Sequence, residues 1–198
     1  MQIKDNTVLV IGGAGFVGSN LVKMILNEHN PKQVIVVDNL LSSEKFNLPE
    51  DSRLRFLEGS ITSDEILAKV SLNVDYIFHL STFHGNQSSI EDPIRDHENN
   101  TYTTLKLMDF MKNSTKLKKL VYSAAGCSAA KKTYGDAEAT TEDAPISLVQ
   151  DSPYSISKVV GEFYSVYYYK QHNLPTVRAR FQNVFGPGEV LGAGQWRG

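Results

Sequence analysis

The chain is poor in cysteine, in unbalanced charge and in long apolar runs, and each shortage excludes a class of protein. Cys127 is the only cysteine, so no disulfide forms within one chain, and a reducing compartment is expected. Twenty Lys and Arg stand against 22 Asp and Glu, a net charge of -2. Such a balance offers no polyanion-binding excess, so neither nucleic acid nor anionic membrane is an expected partner. No apolar run approaches the ~20 residues of a membrane span. The first strand pattern begins by Thr7, which leaves no room for a signal peptide before it, and the expected location is cytoplasmic. With 198 residues, 41% of them hydrophobic and 21% charged, the chain suits one domain with a sizeable core.

What the chain does have is Val8-Leu9-Val10-Ile11-Gly12-Gly13-Ala14-Gly15-Phe16-Val17-Gly18. A four-residue apolar run enters Gly12, Gly15 and Gly18, spaced three apart, and the helical pattern Leu21, Val22, Ile25, Leu26 follows at once. Strand, tight turn and helix are the setting that a glycine-rich phosphate loop needs. Gly12 takes backbone angles closed to other residues. Gly15 has no side chain to hold off a diphosphate, and Gly18 lets the helix lie close to the strand. Phe16 and Val17 share the turn, where a helix N-terminus offers N–H groups and partial positive charge. The bland alternative is a strand, turn and helix with no ligand.

Asp38 follows Gly18 by 20 residues, at the end of the next apolar run, with Asn39 beside it. An acid there accepts from both hydroxyls of an adenosine ribose and repels a 2′-phosphate. No arginine adjoins it, so NAD is expected rather than NADP. Alone, Asp38 would read as a loop cap.

Strands are predicted at 7–11, 33–37, 54–57, 74–80, 117–123 and 176–181. Helices are predicted at 15–28, from a cap at Thr62 or Ser63 to Val70, at 91–112 and at 154–172. Ser152-Pro153 opens the last helix and Asn173-Leu174-Pro175 closes it. The strands are apolar runs and alternate with helices. That pattern gives an α/β fold, a Rossmann-type doubly wound parallel sheet with helices on both faces. Ser81-Thr82-Phe83-His84-Gly85 follows the fourth strand, at the edge where such sheets bind ligands, and makes His84 a candidate substrate contact. The stretch 124–151 is long enough to be functional or mobile. His79, His84 and His97 match no ligand spacing, so no metal is expected; His79 ends a buried strand and reads as packing. Cys127 also reads as packing. Tyr164, Tyr167, Tyr168 and Tyr169 read as a core or dimer face.

Tyr154-Ser155-Ile156-Ser157-Lys158 sets Tyr and Lys at i and i+4, on one helix face. A phenol is a poor base at neutral pH, and a lysine ammonium one turn away stabilises the phenolate. The same ammonium can hold a nicotinamide ribose. Tyr154 is thus a candidate base for a sugar hydroxyl as hydride leaves the carbon. The motif alone is close to noise; its place downstream of a glycine loop gives it weight.

Taken together, these pieces resemble the extended short-chain dehydrogenase/reductases of the nucleotide-sugar epimerase/dehydratase group. The matching segments include Asp38-Asn39-Leu40, Glu58-Gly59-Ser60-Ile61, His79-Leu80-Ser81-Thr82, Glu98-Asn99-Asn100, Val121-Tyr122-Ser123, Ser152-Pro153-Tyr154 with Lys158, and Arg180 to Gly188. They run in family order across the chain. The stretch from Asp151 to Gly188 is similar to enzymes of surface-polysaccharide, O-antigen type, sugar pathways.

The resemblance implies tightly held NAD, a UDP- or similar nucleotide-sugar substrate and a homodimer pairing the helices of 91–112 and 154–172. Tyr154 would be the base and Lys158 its partner. Ile61 would flank the adenine, and Leu80, Ser81 and Thr82 the middle of the cofactor. Asn99 would lie toward the nicotinamide and Asn183 against the sugar diphosphate. In a 4-epimerase, hydride goes to NAD, the 4-keto sugar turns over, and hydride returns to the opposite face. Three departures stand out. Ala125 occupies the family's Ser/Thr position, and Ser123, Cys127 or Ser128 would have to substitute, Ser123 being the candidate. Ser60 replaces an aspartate beside the adenine. Relatives run to roughly 300 residues, so 1–185 is expected to be the NAD-binding domain and 186–198 the start of a substrate-binding domain. A 4,6-dehydratase is the nearest rival, although Gly126-Cys127 stand where its Asp-Glu pair would be. A non-catalytic NAD-binding module is the rival from another class.

Overall fold

A computed structural model describes residues 2–83, 85–126 and 140–189. Six strands, β1 (Thr7–Ile11), β2 (Gln33–Asp38), β3 (Leu54–Glu58), β4 (Tyr76–His79), β5 (Lys119–Ala125) and β6 (Thr176–Phe181), form one sheet in the order β3-β2-β1-β4-β5-β6. Every pairing is parallel, with Leu9 opposite both Ile35 and Ile77, and Ile77 opposite Leu120. Chain order reverses between β1 and β4, and the sheet's carboxyl ends open a crevice there.

Side-chain alternation divides the core between the two faces. Val8, Val10, Val34 and Val36 pack against Val22, Ile25 and Leu26 of α1 (Phe16–Glu28). Leu9, Ile11, Ile35, Ile77, Leu120 and Tyr122 face the other way. They meet Ile66, Leu67 and Val70 of α2 (Asp64–Val70), Leu107, Met108 and Met111 of the helix over Thr103–Met111, and Tyr168 of the helix over Pro153–His172. Strands buried on both faces have no polar alternation to show, which is why they read as continuous apolar runs.

Two local expectations change. The single helix expected over 91–112 is interrupted. It starts earlier as α3 (Asn86–Glu91), breaks at Asp92, restarts as α4 (Pro93–Asp96) and widens into a π turn at His97–Tyr102 before α5 (Thr103–Met111). Pro93 cannot donate to the preceding turn, and the Asp92 side chain caps the new start by accepting from the Arg95 N–H at 3.0 Å. Ser63 stands at the N-cap of α2 without a side-chain cap bond, while Thr62 bonds Ser60 at 2.8 Å. Asp64 and Glu65 in the first turn suit the helix dipole there.

α6 (Pro153–His172) opens as expected: Ser152 accepts from the Ser155 N–H at 3.2 Å, and Asn173 closes the helix in the left-handed region. Its tyrosines divide. Tyr168 is buried with its hydroxyl on Asp109 at 3.0 Å, and Tyr164 packs on the core. Tyr167 and Tyr169 are exposed, with Ile156 and Phe163. Among the described residues, no helix is long and apolar enough to cross a membrane.

Candidate active site

The crevice at the switch point is a groove of about 610 Å³. Its floor is the glycine loop. Gly12 has φ +78°, and a Cβ there would stand 2.6 Å from the Ser81 backbone nitrogen. Gly18 has no more room: a Cβ would lie 2.2 Å from the Gly12 carbonyl oxygen, so α1 rests directly on the turn. A Cβ on Gly15 would meet nothing nearer than 3.4 Å. α1 starts at Phe16 with no side-chain cap and no acid in its first turn. Its leading N–H groups therefore carry their partial positive charge toward the groove.

The Gly18→Ala variant is expected to lose about 2 kcal/mol of stability, because the clash is with backbone on both sides. Urea unfolding reads this as a lower midpoint at unchanged slope, and an unchanged midpoint contradicts the packing described.

Gly12, Gly15, Phe16, Val17, Gly18, Asp38 and Asn39 all line the groove, as do Ile61, Leu80, Ser81, Thr82 and Asn99. Asp38 is buried and ties the site together. One carboxylate oxygen accepts from the Ala14 N–H at 2.9 Å; the other accepts from the Leu40 N–H at 2.9 Å and the Ser43 hydroxyl at 2.8 Å. Sequence reading missed Ser43 and Asn47, which donates to the Ala14 carbonyl at 2.9 Å and also lines the groove. The polar run after Asp38 was the available signal. It also missed Asn100. That buried amide accepts from the Phe83 N–H at 2.7 Å and the Thr82 hydroxyl at 3.1 Å, and donates to the Phe83 carbonyl and to Asp96. It thereby fixes the segment after β4. Burial pushes the Asp96 carboxyl above its ordinary range, against bonds from Ser157 and Asn100 and the charge of Lys158.

Tyr154 lines the same groove as the glycine loop. Its N–H bonds the buried Ser89 hydroxyl at 3.1 Å, which fixes the first turn of α6 on α3. Lys158 is buried, with Nζ 5.6 Å from the Tyr154 ring centroid and 5.5 Å from that of Tyr122. It donates to the Ser123 carbonyl at 2.9 Å. A Cβ on Gly161 would stand 2.1 Å from the Tyr122 hydroxyl, so only glycine lets α6 lie this close to β5.

Ser123 does not line the groove, and its carbonyl accepts from Lys158. Ala125 ends β5 and is buried. Asn183 does not line the groove, whereas Val184 and Gly188 do. The Asn20 amide donates to the Pro187 carbonyl at 2.9 Å and draws that segment over α1. His84, Cys127 and Ser128 lie outside the described residues. Among the described residues, no group of three or more His, Cys, Asp or Glu is placed to hold a metal.

A parallel sheet in this order, with a glycine turn at its switch point, defines a Rossmann-type α/β protein. The chain belongs to the NAD dependent epimerase/dehydratase family, whose model matches residues 8–195. It is 57% identical to the Bordetella bronchiseptica enzyme WbmF solved with NAD+, over 99% of this chain and 55% of that one, with a TM-score of 0.83. The epimerase Mth375 of Methanothermobacter thermautotrophicus is 38% identical with a TM-score of 0.87, covering 98% of this chain and 56% of that one. The UDP-glucose 4-epimerase of Lacticaseibacillus casei is 31% identical over 91% of this chain and 52% of its own length. The chain thus spans about half the length of the relatives it matches.

Proposed function

We propose that residues 1–185 bind NAD and serve a nucleotide-sugar 4-epimerase in which Tyr154 is the base. The observation that carries this reading is the meeting of two motifs in one groove. Tyr154, with Lys158 Nζ 5.6 Å from its ring, lines the same cavity as Gly12, Gly15 and Gly18. The groove suits the cofactor. An uncapped helix N-terminus faces it, room is left over Gly15, and the carboxylate of Asp38 lies at its ribose end. WbmF was also solved with NAD+ and UDP together, which favours a UDP-linked sugar here.

Bound NAD would supply a reversible hydride acceptor. Tyr154 takes the proton of the sugar 4-hydroxyl as the carbon is oxidised, and returns it when the keto group is reduced from its other face. Lys158 is held against the Ser123 carbonyl, so its charge stays beside the phenol ring, where it stabilises negative charge on the phenol oxygen. Asn99 and Thr82 line the groove, Asn99 as the contact toward the nicotinamide and Thr82 as one at the middle of the cofactor, with His84 and Asn183 as the proposed sugar-nucleotide contacts. Where relatives carry a hydroxyl, Ala125 offers none. The reaction is therefore expected to lack one hydrogen bond to the reacting oxygen.

The test is incubation with NAD and UDP-glucose, followed by chromatography of the nucleotide sugars. Formation of the 4-epimer supports the reading. A 4-keto-6-deoxy product would replace it with the dehydratase reading, and NAD binding without any sugar conversion would replace it with the binding-module reading. The exposed Ile156, Phe163, Tyr167 and Tyr169 on α6 support a homodimer through that face. Sedimentation at a single chain's mass would contradict the dimer.

A further inference from the structure

His79 ends β4 and Ser81 follows it in the groove wall, and the arrangement of protons around them assigns each a direction. The His79 imidazole is 1% exposed. Its Nε2 lies 2.9 Å from the Thr104 hydroxyl oxygen. Thr104 has one proton, and the Asn100 carbonyl at 2.7 Å can only accept it, whereas the Tyr122 hydroxyl, which also bonds Thr104, can donate; the Thr104 proton is therefore assigned to the carbonyl. Toward His79 it therefore accepts, and Nε2 must carry the ring proton. Burial, joined by the nearby charge of Lys158, holds the imidazole neutral by pushing its pKa down to about 3. Nδ1 is then a bare lone pair.

Ser81 Oγ stands 3.2 Å from that Nδ1. A hydroxyl facing an unprotonated nitrogen donates to it, and a serine has a single proton to give. What remains on Ser81 are lone pairs. Ser81 lines the groove, and its backbone is the surface on which Gly12 rests.

We propose that His79 is a positioning residue: it takes the Ser81 proton, so that Ser81 meets the bound dinucleotide only as a hydrogen-bond acceptor. The ligand group at that point must then be a donor, either a ribose hydroxyl or an amide N–H. The inference rests on the cofactor reading of the groove, but the direction of the Ser81 hydroxyl does not.

Two experiments separate these parts. Nitrogen NMR of the histidine rings in the wild-type chain reads the tautomer without any ligand. A protonated Nε2 and a bare Nδ1 at His79 are expected, and a protonated Nδ1 would overturn the proposal. NAD titrations then read the consequence. Ser81→Ala is expected to weaken NAD binding about fivefold, the worth of one neutral hydrogen bond. His79→Gln keeps a donor toward Thr104 but removes the acceptor from Ser81, and should weaken binding by a similar factor. His79→Asn restores an acceptor near the Nδ1 position and should recover most of the affinity. The Ser81→Ala, His79→Gln double variant should bind no worse than Ser81→Ala alone. A His79→Gln protein that binds NAD like the wild type, or losses that multiply in the double variant, would overturn the proposal. Should the wild-type chain show the bare Nδ1 yet bind no NAD, the cofactor reading falls and the hydroxyl direction stands.

Discussion

Replacing Tyr154 with Phe is expected to lower sugar-nucleotide interconversion by about 10²–10⁴-fold, the usual worth of a positioned acid–base group. NAD affinity should hardly change. The phenol ring stays in the groove wall, and the proposed cofactor contacts in the glycine loop, at the end of β2 and in the segment after β4 are left as they are. The substitution removes one oxygen and leaves intact the contacts that seat α6: the Ser89 bond to the Tyr154 N–H, the Ser152 cap and the Lys158 bond to Ser123. Turnover of a UDP-sugar at saturating NAD, measured beside an NAD titration, separates the two effects. Turnover within about threefold of wild type would remove Tyr154 from the chemistry. A parallel loss of NAD affinity would instead give it a binding role.

The second large effect is expected far from the groove. Glu162 of α6 is fully buried and meets Arg180 of β6 with both carboxylate oxygens, at 2.9 and 2.8 Å. Arg178 adds a weaker contact at 3.4 Å. Arg180 also donates to the Glu142 carbonyl, and so ties the segment leading into α6 to the last strand. The Glu162 carboxylate in turn holds the Arg180 guanidinium above its ordinary range. Among the described residues, Arg180→Ala leaves the buried carboxylate with the Arg178 ion-pair contact alone, at an expected cost of about 3 kcal/mol. Chemical denaturation should show this as a lower midpoint. The Arg180→Ala, Glu162→Leu pair should recover part of the loss, since no buried charge is then left uncompensated. A single variant as stable as wild type would contradict the account of this pair.

The fold was legible because its signals are local and redundant. Val8 to Ile11 and Val34 to Val37 are apolar without alternation, the first run stopping at Gly12 and the second at Asp38. The break inside the expected 91–112 helix has a local signal in Asp92-Pro93, which a reading from the spacing of Leu105, Leu107, Met108 and Met111 passes over. The π turn at His97–Tyr102 has no sequence signal of its own. Within it Asn100 is buried with its amide on Phe83, a contact 17 residues away in the chain.

At the site, Gly12, Asp38 and Tyr154, which a motif announces, line one groove, while residues that act through partners carry no such signal. Gly12, Asp38 and Tyr154 belong to patterns with fixed spacing. The roles of Ser43 on Asp38, Ser89 under Tyr154 and Thr104 behind His79 depend on which elements the sheet order brings together. The reading of His79 as a packing residue was correct about its burial. It missed the two bonds that the ring makes, because a histidine's tautomer depends on neighbours that no spacing shows.

The most direct test of the account is calorimetric titration of the wild-type chain with NAD and, separately, NADP. The predicted result is one NAD per chain, with NADP weaker by about tenfold or more. A 2′-phosphate would sit against the Asp38 carboxylate, which is buried and already accepts three hydrogen bonds. Failure to bind NAD, or equal affinity for the two, would contradict the assignment of the groove.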